Sequence, residues 1–129
     1  MLSGRNHNLL AIAQAAALNS TYRYRLGAII VSGNRVRGVG WSKRRNVPAN
    51  VSAHHIKECS THAEVDALRG LPTLKRATCF VARLDAFGNP TLAKPCDECW
   101  DALTAAGIVR VYWTINTEAV GVSRIESVI

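Results

Sequence analysis

A chain of 129 residues that is 48% apolar, 19% charged and 6% aromatic suits one compact domain over residues 1–129, and it is too apolar for its charge to be a disordered tail. The longest early apolar run, Leu9 to Leu18, is interrupted by Gln14 and too short for a bilayer; it continues into Asn19, Ser20 and Thr21 without the cleavage pattern of a secretory leader, so a cytoplasmic protein with no membrane partner is expected. The net charge of +7 is lopsided: residues 1–57 hold nine basic residues and no acid, residues 58–129 seven basic and nine acidic, which favours a phosphate-bearing partner near the first half and long nucleic acid second.

Residues 5–19 (RNHNLLAIAQAAALN) place apolar side chains at helical spacing and predict an amphipathic helix. Leu26–Ser32 is short and β-branched, Gly33-Asn34 is a turn signal, and Arg35–Trp41 alternates basic and apolar residues; together they predict a β-hairpin. Residues 42–60 have no clean period and form a long loop. Ser60 or Thr61 is placed to cap a helix running to Arg69 and stopped by Gly70. Thr78–Leu84 predicts a strand and Asp85–Leu92 a turn-rich connection. Asp97–Ala106 predicts a helix stopped by Gly107, Ile108–Trp113 a strand, and Ala119–Ile125 a short final strand. This α-β-β-α-β-α-β order is an α/β class, and its second half calls for parallel neighbours joined by crossover helices.

Three segments carry chemistry: His62-Ala63-Glu64 at one helix start, Pro95-Cys96-Asp97-Glu98-Cys99 at the next, and the gap between them. Two cysteines at i and i+3 put both sulfurs on one helix face, and a helix start lowers a thiol pKa. With His62 they make a His-Cys-Cys set for Zn²⁺. Three protein ligands leave one position open, the mark of a catalytic site that activates water. Glu64, two residues from His62, is placed to move protons without being a ligand, which suits hydrolytic removal of an amine from an aromatic ring. The competing readings are a redox C-x-x-C pair, a structural zinc ribbon completed by Cys59, Cys79, His54 or His55, and a disulfide. The first lacks a use for His-x-Glu, the second needs a fourth ligand, and the third does not suit a chain of cytosolic character. H-x-E followed by P-C-x-x-C, each opening a helix, is the signature of zinc deaminases.

On these pieces, together with Leu26–Val31, Arg37–Trp41 and Ala105–Tyr112, the chain resembles the cytidine deaminase superfamily over roughly residues 5–115, most of all its deoxycytidylate-deaminase-like branch and its small virus-type members. The resemblance implies a three-layer α/β/α fold, a mixed sheet of four to five strands with helices on both faces. It implies zinc on His62, Cys96 and Cys99, proton transfer by Glu64, and substrate contacts at Ala63 and Pro95, with the Ala63 and Cys96 N–H groups facing the reacting ring atom and its oxygen. Relatives commonly assemble, so a homo-oligomer is expected. His at position 62 is the choice of nucleotide, free-base and polynucleotide deaminases, whereas nucleoside enzymes usually place Cys there.

Where relatives place an Asn after Gly-Trp for the sugar, this chain has Ser42, so that Asn46 or Asn50 substitutes or the sugar contact differs, and Lys43, Arg44 and Arg45 follow as candidates for a phosphate or a nucleic-acid backbone, against the plainer reading of a solvated loop. His54, His55 and Cys59 read as loop residues rather than a second zinc site; Cys79 and the three tryptophans read as core, and Arg83 and Lys94 as flanking the pocket. The expected function is zinc-dependent deamination of a nucleobase in a nucleotide or nucleoside, most simply cytosine in deoxycytidylate. The alternatives are a deaminase of single-stranded DNA or tRNA, which the short segment after Trp113 disfavours, a catalytically silent zinc or nucleotide-binding module, which an intact Glu64 disfavours, and a purine such as guanine as the ring.

Overall fold

A computed structural model of the chain describes residues 4–21, 24–44 and 60–125. Helix α1 spans Gly4–Ala17 and buries Leu10, Ala13, Ala16 and Ala17, the apolar face that the spacing predicts. It ends two residues early because the backbone tightens to three-residue bonds: the N–H groups of Leu18, Asn19 and Ser20 reach the carbonyls of Ala15, Ala16 and Ala17 at 3.0–3.2 Å. The hairpin is β1 (Arg25–Ser32) and β2 (Arg35–Trp41), turned at Gly33 with φ of 61°. Two short strands follow, β3 (Lys43–Arg44) and β4 (Ser60–Thr61), then helix α2 (Ala63–Leu68), strand β5 (Ala77–Leu84), strand β6 (Pro90–Thr91), helix α3 (Asp97–Ala105), and strands β7 (Ile108–Thr114) and β8 (Val120–Arg124).

The main sheet runs β2-β1-β5-β7-β8, with β6 extending it beside β5. It therefore has six strands, one more than expected. The sixth comes out of the Asp85–Leu92 connection, which closes as a hairpin: the Asp85 carboxylate accepts the N–H groups of Phe87 and Asn89 at 2.9 Å, Gly88 takes φ of 84°, and Pro90–Thr91 then pairs with Arg83–Leu84. A second correction concerns strand direction. Of the two crossovers expected to join parallel neighbours, only β5-α3-β7 does so. The other, β2-α2-β5, joins strands of like direction that are not adjacent. The hairpin has folded β1 into the space between them, antiparallel to both.

Helices cover both faces, as the family resemblance implies. On one face α1 packs over Ile29, Val31, Phe80, Ala82 and Tyr112, with Phe80 and Tyr112 stacked at 4.9 Å. On the other, α2 and α3 cover Ala28, Ile30, Cys79, Val81 and Val111. The period-2 alternation of β1 and β5 is what sends successive side chains to opposite cores. Cys79 and Trp113 are buried, while Trp41 and Trp100 are half-buried, with Trp100 meeting Trp113 edge-on at 6.5 Å. Two glycines of β2 fix where α2 lies. A side chain on Gly38 would collide with the Ala67 carbonyl, and one on Gly40 with the backbone of Ala63, Asp66 and Ala67. The helix backbone rests directly on the strand there, and this sets the height of its first turn. Among the described residues no helix is long and apolar enough to cross a membrane.

Candidate active site

Two helix starts meet at one end of the sheet. His62 is the N-cap of α2 in an extended conformation (φ −75°, ψ 146°), and its carbonyl accepts the Asp66 N–H at 3.0 Å. Cys96 is the N-cap of α3, also extended (φ −73°, ψ 171°), and its carbonyl accepts the Trp100 N–H at 2.8 Å. Residues at this position ordinarily turn the side chain back onto the helix. Neither does so here. The imidazole and the thiol point instead toward each other. The expectation that Ser60 or Thr61 caps α2 is thereby corrected: their backbone is spent on β4, which pairs antiparallel with β3 in the register Lys43 to Thr61 and Arg44 to Ser60.

One turn into α3, Cys99 is buried and completes the group. His62 Nδ1 lies 3.1 Å from Cys99 Sγ and 3.7 Å from Cys96 Sγ, and the three ligand atoms all fall within 4.8 Å of one another. Zinc bonds of about 2.1 Å to nitrogen and 2.3 Å to sulfur, at tetrahedral angles, put the two donor atoms roughly 3.5 Å apart. The observed nitrogen–sulfur distances bracket that spacing, and one imidazole with two free thiols is a donor set suited to zinc. His62, Cys96 and Cys99 are thus brought together, as the spacing of the motifs predicts.

Glu64 follows as the second residue of α2 and is 2% exposed. Burial pushes its carboxyl pKa up; its own backbone N–H, the Cys99 thiol and the His62 ring pull it partly back. A buried carboxyl with a raised pKa beside the ligand cluster is suited to taking and returning protons. Burial, with the Glu64 carboxylate adding to it, likewise pushes the Cys99 thiol far above the ordinary thiol range in the metal-free protein. Cation binding at this cluster must therefore release protons.

The remaining predicted contacts are placed differently. Ala63 and Pro95 are buried, each beside a ligand in sequence. Ser42 is 4% exposed, and its hydroxyl donates to the Tyr24 carbonyl at 2.6 Å and accepts the Leu26 N–H at 3.0 Å, with the Ser20 hydroxyl 2.8 Å away. Its one proton and one lone pair are thus taken by the backbone of Tyr24 and Leu26. Lys43 is also committed. Its ammonium lies 3.1 Å from the Asp66 carboxylate and 4.7 Å from the Trp41 ring centre. Arg44 places its backbone in β3, one residue pair away from the entry to His62. Arg45, His54, His55 and Cys59 lie outside the described residues. Arg83 covers the Tyr24 ring at 5.1 Å and Lys94 the Trp113 ring at 5.7 Å.

Sequence reasoning did not single out Asp66. Its nearly buried carboxylate accepts the Trp41 N–H at 3.2 Å and pairs with Lys43, tying the end of β2 to the first turns of α2. An acid in the first turn of a helix has an ordinary explanation in the helix dipole, so the sequence carries no signal that separates this anchor from that role.

Comparisons with known proteins accord with this geometry. Among solved structures, the cytidine deaminase from Burkholderia pseudomallei superposes with a TM-score of 0.69 at 19% identity, covering 95% of this chain and 93% of that one. The dCMP deaminase from the cyanophage S-TIM5 in complex with dCMP and dUMP gives 0.62 at 19% identity, covering 88% and 82%. The cytidine deaminase from Mycobacterium tuberculosis gives 0.54 at 18%, covering 86% and 89%. Similarity at this level of identity concerns the fold. No curated protein matches the sequence significantly. The family model of the cytidine and deoxycytidylate deaminase zinc-binding region matches residues 4–115, a span that contains both helix starts, and the chain belongs to that family.

Proposed function

We propose that the protein catalyses zinc-dependent hydrolytic deamination of a cytosine ring carried by a nucleotide, deoxycytidylate being the simplest substrate. The observation that carries the proposal is Glu64: a buried carboxyl with a raised pKa, in contact with a three-donor cluster, on a first helical turn whose height is fixed by Gly40. Zinc bound by His62 Nδ1, Cys96 Sγ and Cys99 Sγ supplies a Lewis acid that makes water nucleophilic near neutral pH. The other steps belong to the chain. The Glu64 carboxylate would take one proton of the attacking water and deliver it to the ring nitrogen beside the reacting carbon, then take the second proton from the hydroxyl now on that carbon and pass it to the departing amine, so that ammonia leaves and a carbonyl remains. Ala63 at the start of α2 and Cys96 at the start of α3 present backbone N–H groups that no helical carbonyl can accept, and these orient the ring and its oxygen. Pro95, whose ring fixes its own φ, stiffens the backbone that leads into Cys96.

A phosphorylated substrate is favoured by β3 and β4. Their pairing brings the backbone of Arg44 beside the segment that leads into His62. A polynucleotide substrate is the second reading and draws on the same basic stretch. The test is ammonia release from cytosine, cytidine, deoxycytidine, their monophosphates, guanine, adenosine and short single-stranded DNA. Turnover of deoxycytidylate well above deoxycytidine, abolished in Glu64→Gln with zinc retained, supports the proposal. Release from none of these substrates by zinc-loaded protein overturns it in favour of a silent binding module.

A further inference from the structure

The face of the sheet turned away from the zinc ligands carries a second concentration of charge. The register of the strands lines up Val31, Thr78, Arg110 and Arg124 side by side across β1, β5, β7 and β8. Arg110 is two residues from Tyr112, which packs under α1, so this row belongs to the α1 face. It also lies at the beginning of β5 and β7, whereas the zinc cluster lies beyond Gly40, level with their ends. Here a concavity of about 190 Å³ opens beneath the start of α1, and Arg5, Arg76 and Arg110 line it together with Thr78 and Tyr112.

Three features of this concavity are unfavourable without a ligand. Arg110 sits directly opposite Arg124, a like-charge pair across neighbouring strands. Arg76 adopts φ of 52°, alone among the described non-glycine residues in having a positive value, and a side chain there carries backbone strain. Among the described residues none of Arg5, Arg76, Arg110 and Arg124 forms an ion pair. Among the described residues the Gly33 carbonyl accepts from Arg5 at 2.8 Å and holds that side chain at the rim. The first turn of α1 brings no acid to offset this charge and adds the positive end of a 14-residue helix.

We propose that this concavity binds a small phosphate-bearing anion, gripped by Arg5, Arg76 and Arg110 and separate from the catalytic centre. A volume of about 190 Å³ equals roughly six waters at about 30 Å³ each, room for one or two phosphate groups. Guanidinium groups arranged around such a space match phosphate oxygens in geometry as well as charge. A bound anion also relieves the repulsion between Arg110 and Arg124.

The test is calorimetric titration of inorganic pyrophosphate into the zinc-loaded full chain at low ionic strength. Saturable one-to-one binding is expected, weakened at least roughly tenfold by Arg76→Gly and by Arg110→Gln, the loss of one charge-assisted contact in each case. Glycine takes φ of 52° without strain, so Arg76→Gly should lose affinity without lowering the melting temperature, an outcome that separates binding from folding damage. Unchanged affinity in both variants would place the anion elsewhere, and absence of saturation would remove the site; either result overturns the proposal. A third arm uses a short oligothymidylate. Failure to displace pyrophosphate supports the small-anion site, and competitive displacement that the same two variants weaken would assign the face to a nucleic-acid backbone instead.

Discussion

The two ends of the sheet invite comparison, because each joins helix starts to strand ends and they differ in sign. At the ligand end, α2 opens with Glu64 and Asp66 and α3 with Asp97 and Glu98, so acids stand at the positive ends of both helices. At the arginine end, α1 opens without an acid, over a row that holds Arg110 and Arg124. The first arrangement is satisfied internally and leaves its two capping side chains for a cation. The second is unsatisfied and collects positive charge on a surface concavity. One backbone feature, a helix start near a sheet, thus prepares opposite ligands according to which residues stand in its first turn.

The largest expected effect that tests this contrast is at the cation end. Cys99→Ala should abolish zinc binding by elemental analysis and bring ammonia release to background, while pyrophosphate binding persists. Next comes Glu64→Gln, which should retain zinc and lose about a thousandfold in turnover. Retained turnover would remove Glu64 from the proton path. Two glycines allow a matched comparison of the faces. Gly40→Ala and Gly27→Ala each drive a methyl group into the backbone of a covering helix, α2 and α1 respectively, and each should destabilise by about 1–3 kcal/mol in denaturant unfolding. Only the substitution at Gly40 should weaken zinc, because of these two helices only α2 carries a ligand at its start.

The apparent zinc affinity should rise with pH in competition with a chromogenic chelator. The sign follows from the raised Cys99 thiol: it is protonated at neutral pH without metal, and each step upward in pH lowers the cost of releasing that proton. A flat profile would mean that the thiol is already ionised. The smallest effect is expected of Lys43→Gln. It breaks a half-exposed pair with Asp66 and should shift stability by less than about 1 kcal/mol, with no change in the preference for monophosphate over nucleoside.

Much of this was legible in the chain. The hairpin, the three helices and the β5-α3-β7 crossover follow from apolar period and from Gly33, Gly70 and Gly107, all of which take positive φ. The ligand set follows from spacing, because two cysteines three apart on a helix have only one way to face the same ion. What was hidden depends on partners remote in sequence. Nothing local tells that Ser42 will find Ser20 and Tyr24, or that Lys43 will find Asp66. The insertion of β1 between β2 and β5 depends on sheet order, which hydrophobic period does not encode. The arginine row forms only when β5, β7 and β8 come into register, so residues separated by dozens of positions look unrelated until the sheet exists.

The orientation of His62 and Cys96 has a consequence for how the molecule is assembled. A helix whose capping side chain faces outward begins without its usual fastening, and two such beginnings, 34 positions apart, are placed so that one ion could bridge them. That ion would add a stitch between two helix starts whose helices already share a core. Stripping it should let both opening turns fray while the arginine end stays closed, a pattern that amide hydrogen exchange reads directly.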